Sequence, residues 1–249
     1  MLDQLKQVDN RRLYQQIADQ IRAFIDKGSY TAGARLPPER DLAQQLGVSR
    51  PSVREALIAM EVEGWVEVRT GSGVYVLDRS SQASRVAARS PQVPADEWGP
   101  LELIRARRVV EGEIAAIAAT EAQHPHIAAM AEALARMQAD ADQDILPLEG
   151  DRAFHAAIAE SCGNAVLIET VQRFWDSRLG PLSERLVGYF ETADSWRAAI
   201  TEHAAILLAI RSRDPAAARL AMHQHMDNSH TRFSVSWRQA QKPKEPAPA

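Results

Sequence analysis

Apolar residues recur along this chain in two rhythms, and the change from one to the other marks out its elements. Leu13, Ile17, Ile21, Phe24 and Ile25 stand at helical spacing and predict a first helix with one apolar stripe. Leu36-Pro37-Pro38 then stops extended chain and suits the first turn of a second, short helix, because proline holds φ near its helical value. Leu42, Ala43 and Leu46 form the stripe of that helix, and Gly47 stands where a left-handed residue closes a C-terminus. Ser49 is placed to cap a third helix, which tolerates Pro51 in its first turn and turns Val53, Ala56, Leu57 and Met60 inward. After Gly64 the period switches to alternation in Trp65-Val66-Glu67-Val68-Arg69 and again in Val74-Tyr75-Val76-Leu77. Gly71-Ser72-Gly73 lies between, so the segment predicts a β-hairpin.

Residues 79–99 lose the periodicity, are rich in Ser, Ala, Gln and Pro, and read as a linker. From Leu101 the helical period returns, with Val110, Ile114, Ile117 and Ala118 on one helix and Ile127, Met130, Leu134 and Met137 on the next. Further stripes run through 152–162, 165–187, 195–212 and 215–235. Breaks at Pro125, Pro147, Gly163-Asn164, Gly188 and Pro215 give about six helices, which predicts a bundle. The expected fold class is mainly α: an N-terminal winged helix-turn-helix with a small β-hairpin over residues 1–78, a linker over 79–99, and an all-α helical bundle over 100–238. The tail 239–249, with Pro243, Pro246 and Pro248, is expected to be disordered.

Composition narrows the chemistry. A length of 249 residues allows two modest domains with real cores. The formal charge of -4 gives no global pull toward nucleic acid, and residues 1–79 balance at eleven basic against eleven acidic, so any DNA affinity comes from local placement. The one cysteine, Cys162, excludes an internal disulfide and a cysteine-rich zinc site and reads as a small core residue. No apolar run approaches the roughly 20 residues that span a bilayer, and the N-terminus is polar, so no membrane partner or targeting signal is expected and the cytoplasm is the expected location.

The second and third helices make a helix-turn-helix, and Arg50 and Arg54, four apart, fall on one side near the N-terminus with Ser49 and Ser52 beside them. Such side chains reach base edges and phosphates, and the bare tip of the hairpin lets backbone approach a phosphate or a minor groove. The segments Leu36-Pro37-Pro38-Glu39-Arg40-Asp41-Leu42-Ala43, Gly47 to Leu57, and Gly71-Ser72-Gly73-Val74-Tyr75-Val76 resemble the GntR family of bacterial winged-helix regulators. That resemblance covers roughly residues 10–78. It implies Arg40, Ser49, Arg50, Arg54 and Gly71 as DNA contacts, with double-stranded DNA as partner. Half-site geometry in binders of this kind implies a homodimer on a palindromic operator.

In the helical part, Asp151 and His155 share one helix face, while His203 and His225 lie in two other helices among apolar neighbours. Four ligands from three helices can build a metal site in a bundle, and three imidazoles with one carboxylate suit Zn²⁺, with Ni²⁺ or Mn²⁺ as alternatives. Spacing alone leaves open that each histidine is a satisfied core or surface residue. The segments Asp151-Arg152-Ala153-Phe154-His155, Glu202-His203-Ala204-Ala205-Ile206 and Ala221-Met222-His223-Gln224-His225 resemble the FadR-type C-terminal (FCD) effector domain of many GntR regulators, and the resemblance implies Asp151, His155, His203 and His225 as metal ligands. His223, two residues from His225, faces another side of its helix.

Leu103 to Glu111 resembles the opening helix of that domain, which singles out Arg107 as a receptor for an effector carboxylate beside the metal. An intrahelical ion pair with Glu111 is the competing role, and Arg178, near Trp175, carries the same ambiguity. The stretch Arg54 to Arg69 is similar to the hexuronate-responsive branch of these regulators, which implies a sugar acid as effector. Citrate-like acids stay open. The expected function is a bacterial transcriptional regulator, a repressor and not an enzyme, whose operator binding responds to a small carboxylate. Two other readings remain: a metal-dependent hydrolase or isomerase fused to a DNA-binding head, and a metal-free acyl-CoA-type sensor. Against the first stands the absence of a His-Glu-x-x-His motif.

Overall fold

The computed structural model describes residues 12–78, 93–94 and 97–234. Most of the expected linker and the whole tail 239–249 lie outside them. Two compact units divide between Gly99 and Pro100.

In the first unit, α1 (Leu13–Asp26) packs on α3 (Arg50–Val62), and α2 (Glu39–Leu46) packs on α3 as well. The buried face of α1 is Tyr14, Ile17, Ala18 and Ile21, while Leu13 and Phe24 remain 48% and 53% exposed. This corrects the expected stripe: Leu13 and Phe24 sit roughly a quarter-turn from the centre of the buried arc, and Tyr14 takes the place assigned to Leu13. Tyr14 turns inward because its hydroxyl has a buried acceptor, donating to the Glu97 carbonyl at 3.1 Å. Pro38 precedes α2, and Gly47, at φ +66°, ends it in the left-handed conformation. The hairpin pairs β1 (Val66–Arg69) with β2 (Gly73–Val76) antiparallel, in the register Val66 to Val76 and Val68 to Val74, and these four valines face the core.

The second unit holds seven α-helices among the described residues: α4 (Pro100–Glu121), α5 (His124–Asp142), α6 (Leu148–Glu160), α7 (Ala165–Asp176), α8 (Pro181–Phe190), α9 (Ala193–Arg211) and α10 (Pro215–Ser234). Six were expected. The stripe 165–187 is broken by a 3₁₀ turn at Ser177–Leu179 and by Gly180-Pro181, where an extended glycine precedes a proline that starts α8. Gly188, expected as a break, lies inside α8. Helix α4 packs along α10, α5 along α6, and α9 along α10. The core is built from Ile114, Met130, Met137, Phe154, Ile158, Ile206 and Met222, all almost fully buried. Gly150 matters for the site: a Cβ there would stand 2.6 Å from Met137 Cγ and 3.1 Å from the Ala133 carbonyl, so its absence lets α6 lie close on α5 and sets the depth of Asp151 and His155. Among the described residues no helix is long and apolar enough to cross a membrane.

Candidate DNA-binding head and metal centre

Ser49 caps α3, accepting from the Ser52 amide at 3.2 Å, and the two hydroxyls lie 2.8 Å apart. The cap holds the start of α3 at the surface, where Ser49 and Arg50 are exposed and Ser52 is half-buried. Arg40, in the first turn of α2, keeps 79% of its side chain exposed beside Asp41. Gly71 at the wing tip has φ +72° with open space where a Cβ would stand, so a side chain there would be strained by conformation, not by crowding.

Arg54 departs from the expectation. Its side chain is fully buried, with Nε donating to Glu39 Oε1 at 2.9 Å and Nη2 to Glu39 Oε2 at 2.8 Å. The residue follows Arg50 by four positions, but the bidentate pairing with the first residue of α2 draws it into the contact between the two helices instead of leaving it on the outer face. Arg35, passed over in the sequence, is exposed and lies across the wing, its Nε 2.5 Å from where a Gly73 Cβ would be. A basic residue just ahead of Leu36-Pro37, opposite a glycine of the hairpin, was the available signal.

In the helical unit, helices α6, α9 and α10 bring Asp151, His155, His203 and His225 together, all buried, with one ligand atom from each within 4.8 Å of the others. The outward nitrogen of each imidazole is tied to an acceptor: His155 Nδ1 to Glu111 Oε2, His203 Nδ1 to the Ala199 carbonyl at 2.7 Å, and His225 Nδ1 to Glu202 Oε2 at 2.8 Å. A neutral imidazole has one proton, so these anchors spend it at Nδ1 and leave the three Nε2 lone pairs for the centre. His203 Nε2 then faces Asp151 Oδ1 at 3.0 Å and His155 Nε2 at 3.2 Å. Asp151 Oδ1 is buried and receives no hydrogen bond although His203 is so close, because both atoms are acceptors. Acceptors converging with no donor between them are unfavourable unless a cation joins them, and this donor set fits a divalent ion.

Burial and neighbouring charges oppose each other around this centre and together set its charge states. Burial, aided by His203, pushes His225 down to about 3 and keeps it neutral, as a ligand must be. For Asp151, burial works against ionisation, but its neighbours His155 and His203 outweigh it and hold the carboxyl well below its usual range. Burial would raise Glu111 too, yet Arg107 and His155 prevail and hold it at about 2. Glu202 is likewise held at about 2, where His225 and Arg232 overcome burial. His155 moves up, since Glu111 and Asp151 outweigh the burial that disfavours its cation.

A small cavity, partly open to solvent, adjoins Asp151 and His225 and is bordered by Arg107, Arg178, Glu191 and Trp196. Both roles weighed for Arg107 bear on its geometry: Nε donates to Glu111 Oε1 at 2.6 Å, and Nη2 is buried without a partner. Arg178 donates to Asp151 Oδ2 at 3.0 Å, and it sits in the 3₁₀ turn after α7 instead of in a helix. The guanidinium carbons of Arg107 and Arg178 lie 4.6 and 4.5 Å from the Trp175 ring centre, so one indole contacts both of these cavity-lining cations.

Comparison with known proteins agrees with this division of labour. Residues 13–76 match the bacterial regulatory proteins of the gntR family, and residues 102–228 match the FCD domain. The Exu regulon transcriptional regulator of Escherichia coli K12 is 38% identical over 222 residues, spanning 88% of this chain and 83% of that one. The chain belongs to the GntR family of bacterial regulatory proteins. The Uxu operon transcriptional regulator of the same strain is also 38% identical, over 227 residues covering 90% of this chain and 87% of its own, and the Uxu operon regulator of Haemophilus influenzae is 34% identical over 87% and 80%. This GntR protein is thus a DNA-binding transcriptional regulator, with the winged unit as its DNA-binding head and the FCD unit as its effector domain.

Three residues of the GntR regulator's centre were missed from sequence: Glu111, Glu202 and the Ala199 carbonyl, which orient the imidazoles. Glu111 and Glu202 lie within the segments that resemble the FCD domain, but only the fold shows which histidine each one serves.

Proposed function

We propose that this regulator is a metal-assisted carboxylate sensor that releases DNA when a sugar acid binds. The observation that carries the reading is the set of four converging acceptors, Asp151 Oδ1 and the Nε2 atoms of His155, His203 and His225, beside a cavity edged by two arginines. Zinc is the metal that this three-nitrogen, one-oxygen set suits best, with nickel or manganese as alternatives. When bound there, it supplies a Lewis-acidic point for an oxygen of the effector. Arg107 Nη2, buried and unpaired, offers donors to a carboxylate, while Trp175 keeps both guanidinium groups in place. Arg178, held by Asp151, lies where it links the carboxylate end to the metal ligand.

A hexuronate is the effector this reading favours. Its support is the likeness of the Arg54 to Arg69 stretch to hexuronate-responsive regulators and the Exu and Uxu names of the relatives. The cavity's role is regulatory, not catalytic, in keeping with relatives that are regulators. The head binds a palindromic operator as a homodimer in the cytoplasm, with Arg40, Ser49, Arg50, Ser52 and Gly71 at the DNA, and acts as a repressor. Calorimetry on metal-loaded protein tests the sensor directly: D-galacturonate or D-glucuronate binds, and the affinity drops at least about tenfold in Arg107→Ala. Failure of every sugar acid to bind would remove the reading.

A further inference from the structure

Four residues that border the cavity, Arg107, Asp151, Glu191 and Trp196, each carry a buried polar atom without a hydrogen-bond partner. Glu191, which ends α8, has a side chain only 11% exposed and places Oε1 3.6 Å from Arg178 Nη2. Its other oxygen, Oε2, is buried and accepts no hydrogen bond, and the indole N–H groups of Trp175 and Trp196 are buried and donate none. Trp196 borders the cavity with Glu191 and is near enough to favour its ionised form, yet its N–H closes no bond. Burial pushes the Glu191 carboxyl up, with Arg178 opposing and Asp151 adding to the rise.

An acceptor without a donor beside a donor without an acceptor is costly in the empty protein and is a receptor for a group that offers both. A hydroxyl does so: its O–H donates to Glu191 Oε2 and its oxygen accepts from Trp196 Nε1. A second carboxylate brings acceptors alone and sets its charge against that of Glu191. A hydrocarbon tail satisfies neither atom.

We propose that Glu191 and Trp196 form a hydroxyl-reading subsite, by which the regulator selects a hydroxylated monocarboxylate and rejects di- and tricarboxylates. The inference rests on the carboxylate-sensor reading above and extends it to the far end of the ligand. It decides between the two effector classes that sequence left open, sugar acids and citrate-like acids, in favour of the first. Glu191 is the specificity-determining residue and Arg107 serves the carboxylate end.

The test is calorimetry on the full, zinc-loaded chain with D-galacturonate, D-glucuronate, hexanoate and citrate. Wild type is expected to bind a uronate at least about tenfold more tightly than hexanoate or citrate. In Glu191→Gln the uronate advantage over citrate shrinks by about tenfold or more, and Trp196→Phe, which keeps the ring and loses the N–H, shifts it the same way. Arg107→Ala weakens uronate and hexanoate alike. Unchanged uronate preference in both Glu191→Gln and Trp196→Phe would overturn the subsite while leaving the sensor intact, and Trp196→Phe decides the matter should Glu191→Gln fold poorly. A wild type that prefers citrate or hexanoate overturns the subsite as well. If no acid binds, the sensor reading falls and the subsite with it.

Discussion

Replacing Arg54 separates stability from DNA reading in the head. Its guanidinium is fully buried and bidentate to Glu39, whose own side chain is 12% exposed. Arg54→Ala removes the cation and leaves that carboxylate nearly desolvated. Breaking such a pair costs about 3–5 kcal/mol, and the residual exposure of Glu39 places the cost near the lower end, about 3 kcal/mol. That is roughly a hundredfold rise in local opening of α2 and α3. Amide hydrogen exchange on the full chain measures it, because protection is read helix by helix and the effector domain serves as an internal control. The slowest amides of α3 should lose about 3 kcal/mol of protection while those of α4 and α9 stay unchanged. An Arg54→Met, Glu39→Leu double replacement, which removes both charges, should recover most of it. Arg50→Ala is the contrast: exposed and without an ion pair among the described residues, it should leave exchange within about 0.5 kcal/mol of wild type while operator affinity falls by about 1–3 kcal/mol. Wild-type protection in Arg54→Ala would refute the assignment of this arginine to the helix contact.

Elemental analysis of purified protein should give about one divalent ion per chain, and the His155→Ala, His203→Ala double variant should retain none; metal-free wild type after reconstitution would contradict the centre. Glu202 offers a test against pH in chelator-treated protein. Its carboxyl is held at about 2, below the usual 4.5, so its contribution to stability is fully present above about pH 4.5 and is lost as pH falls toward 2. Urea denaturation of wild type and Glu202→Gln should therefore show a gap that is constant from pH 5 to 7 and closes in acid, and a gap independent of pH would show that the charge is not what stabilises the wild type.

The head was legible in the sequence because its signals are local. Proline, glycine and serine at helix ends act within a turn of where they stand, and alternation over four residues is enough to mark a strand. Arg54 was misplaced for the opposite reason: its surroundings are decided by Glu39, fifteen residues earlier, and only the packing of α2 on α3 brings the two together. Leu13 and Phe24 read as core on hydrophobicity alone, which does not show the burial of Tyr14, since that depends on the Glu97 carbonyl far along the chain. The break at Gly180-Pro181 was hidden by apolar residues that continue in phase on both sides.

The metal set was legible from the four-residue step between Asp151 and His155 and from three motif resemblances. The residues that make the site work on its ligands were not. Glu111, Glu202 and Glu191 are ordinary glutamates in sequence, and each acquires its part from a residue on another element: His155, His225 and Arg178. Spacing shows which side chains share a face, whereas orientation of an imidazole or isolation of a carboxylate oxygen depends on how whole helices meet.

In the proposed function, metal and sugar acid together loosen the grip of the head on DNA. Fluorescence anisotropy of a labelled operator duplex, selected from a random pool by the metal-loaded protein, tests it at fixed salt, since affinity for DNA varies steeply with ionic strength. Saturating D-galacturonate or D-glucuronate should weaken operator binding by about 5- to 150-fold, the range of a typical coupling free energy, and should do nothing after chelation. Equal operator affinity with and without the uronate in metal-loaded protein, or the same shift in chelated protein, would contradict the account.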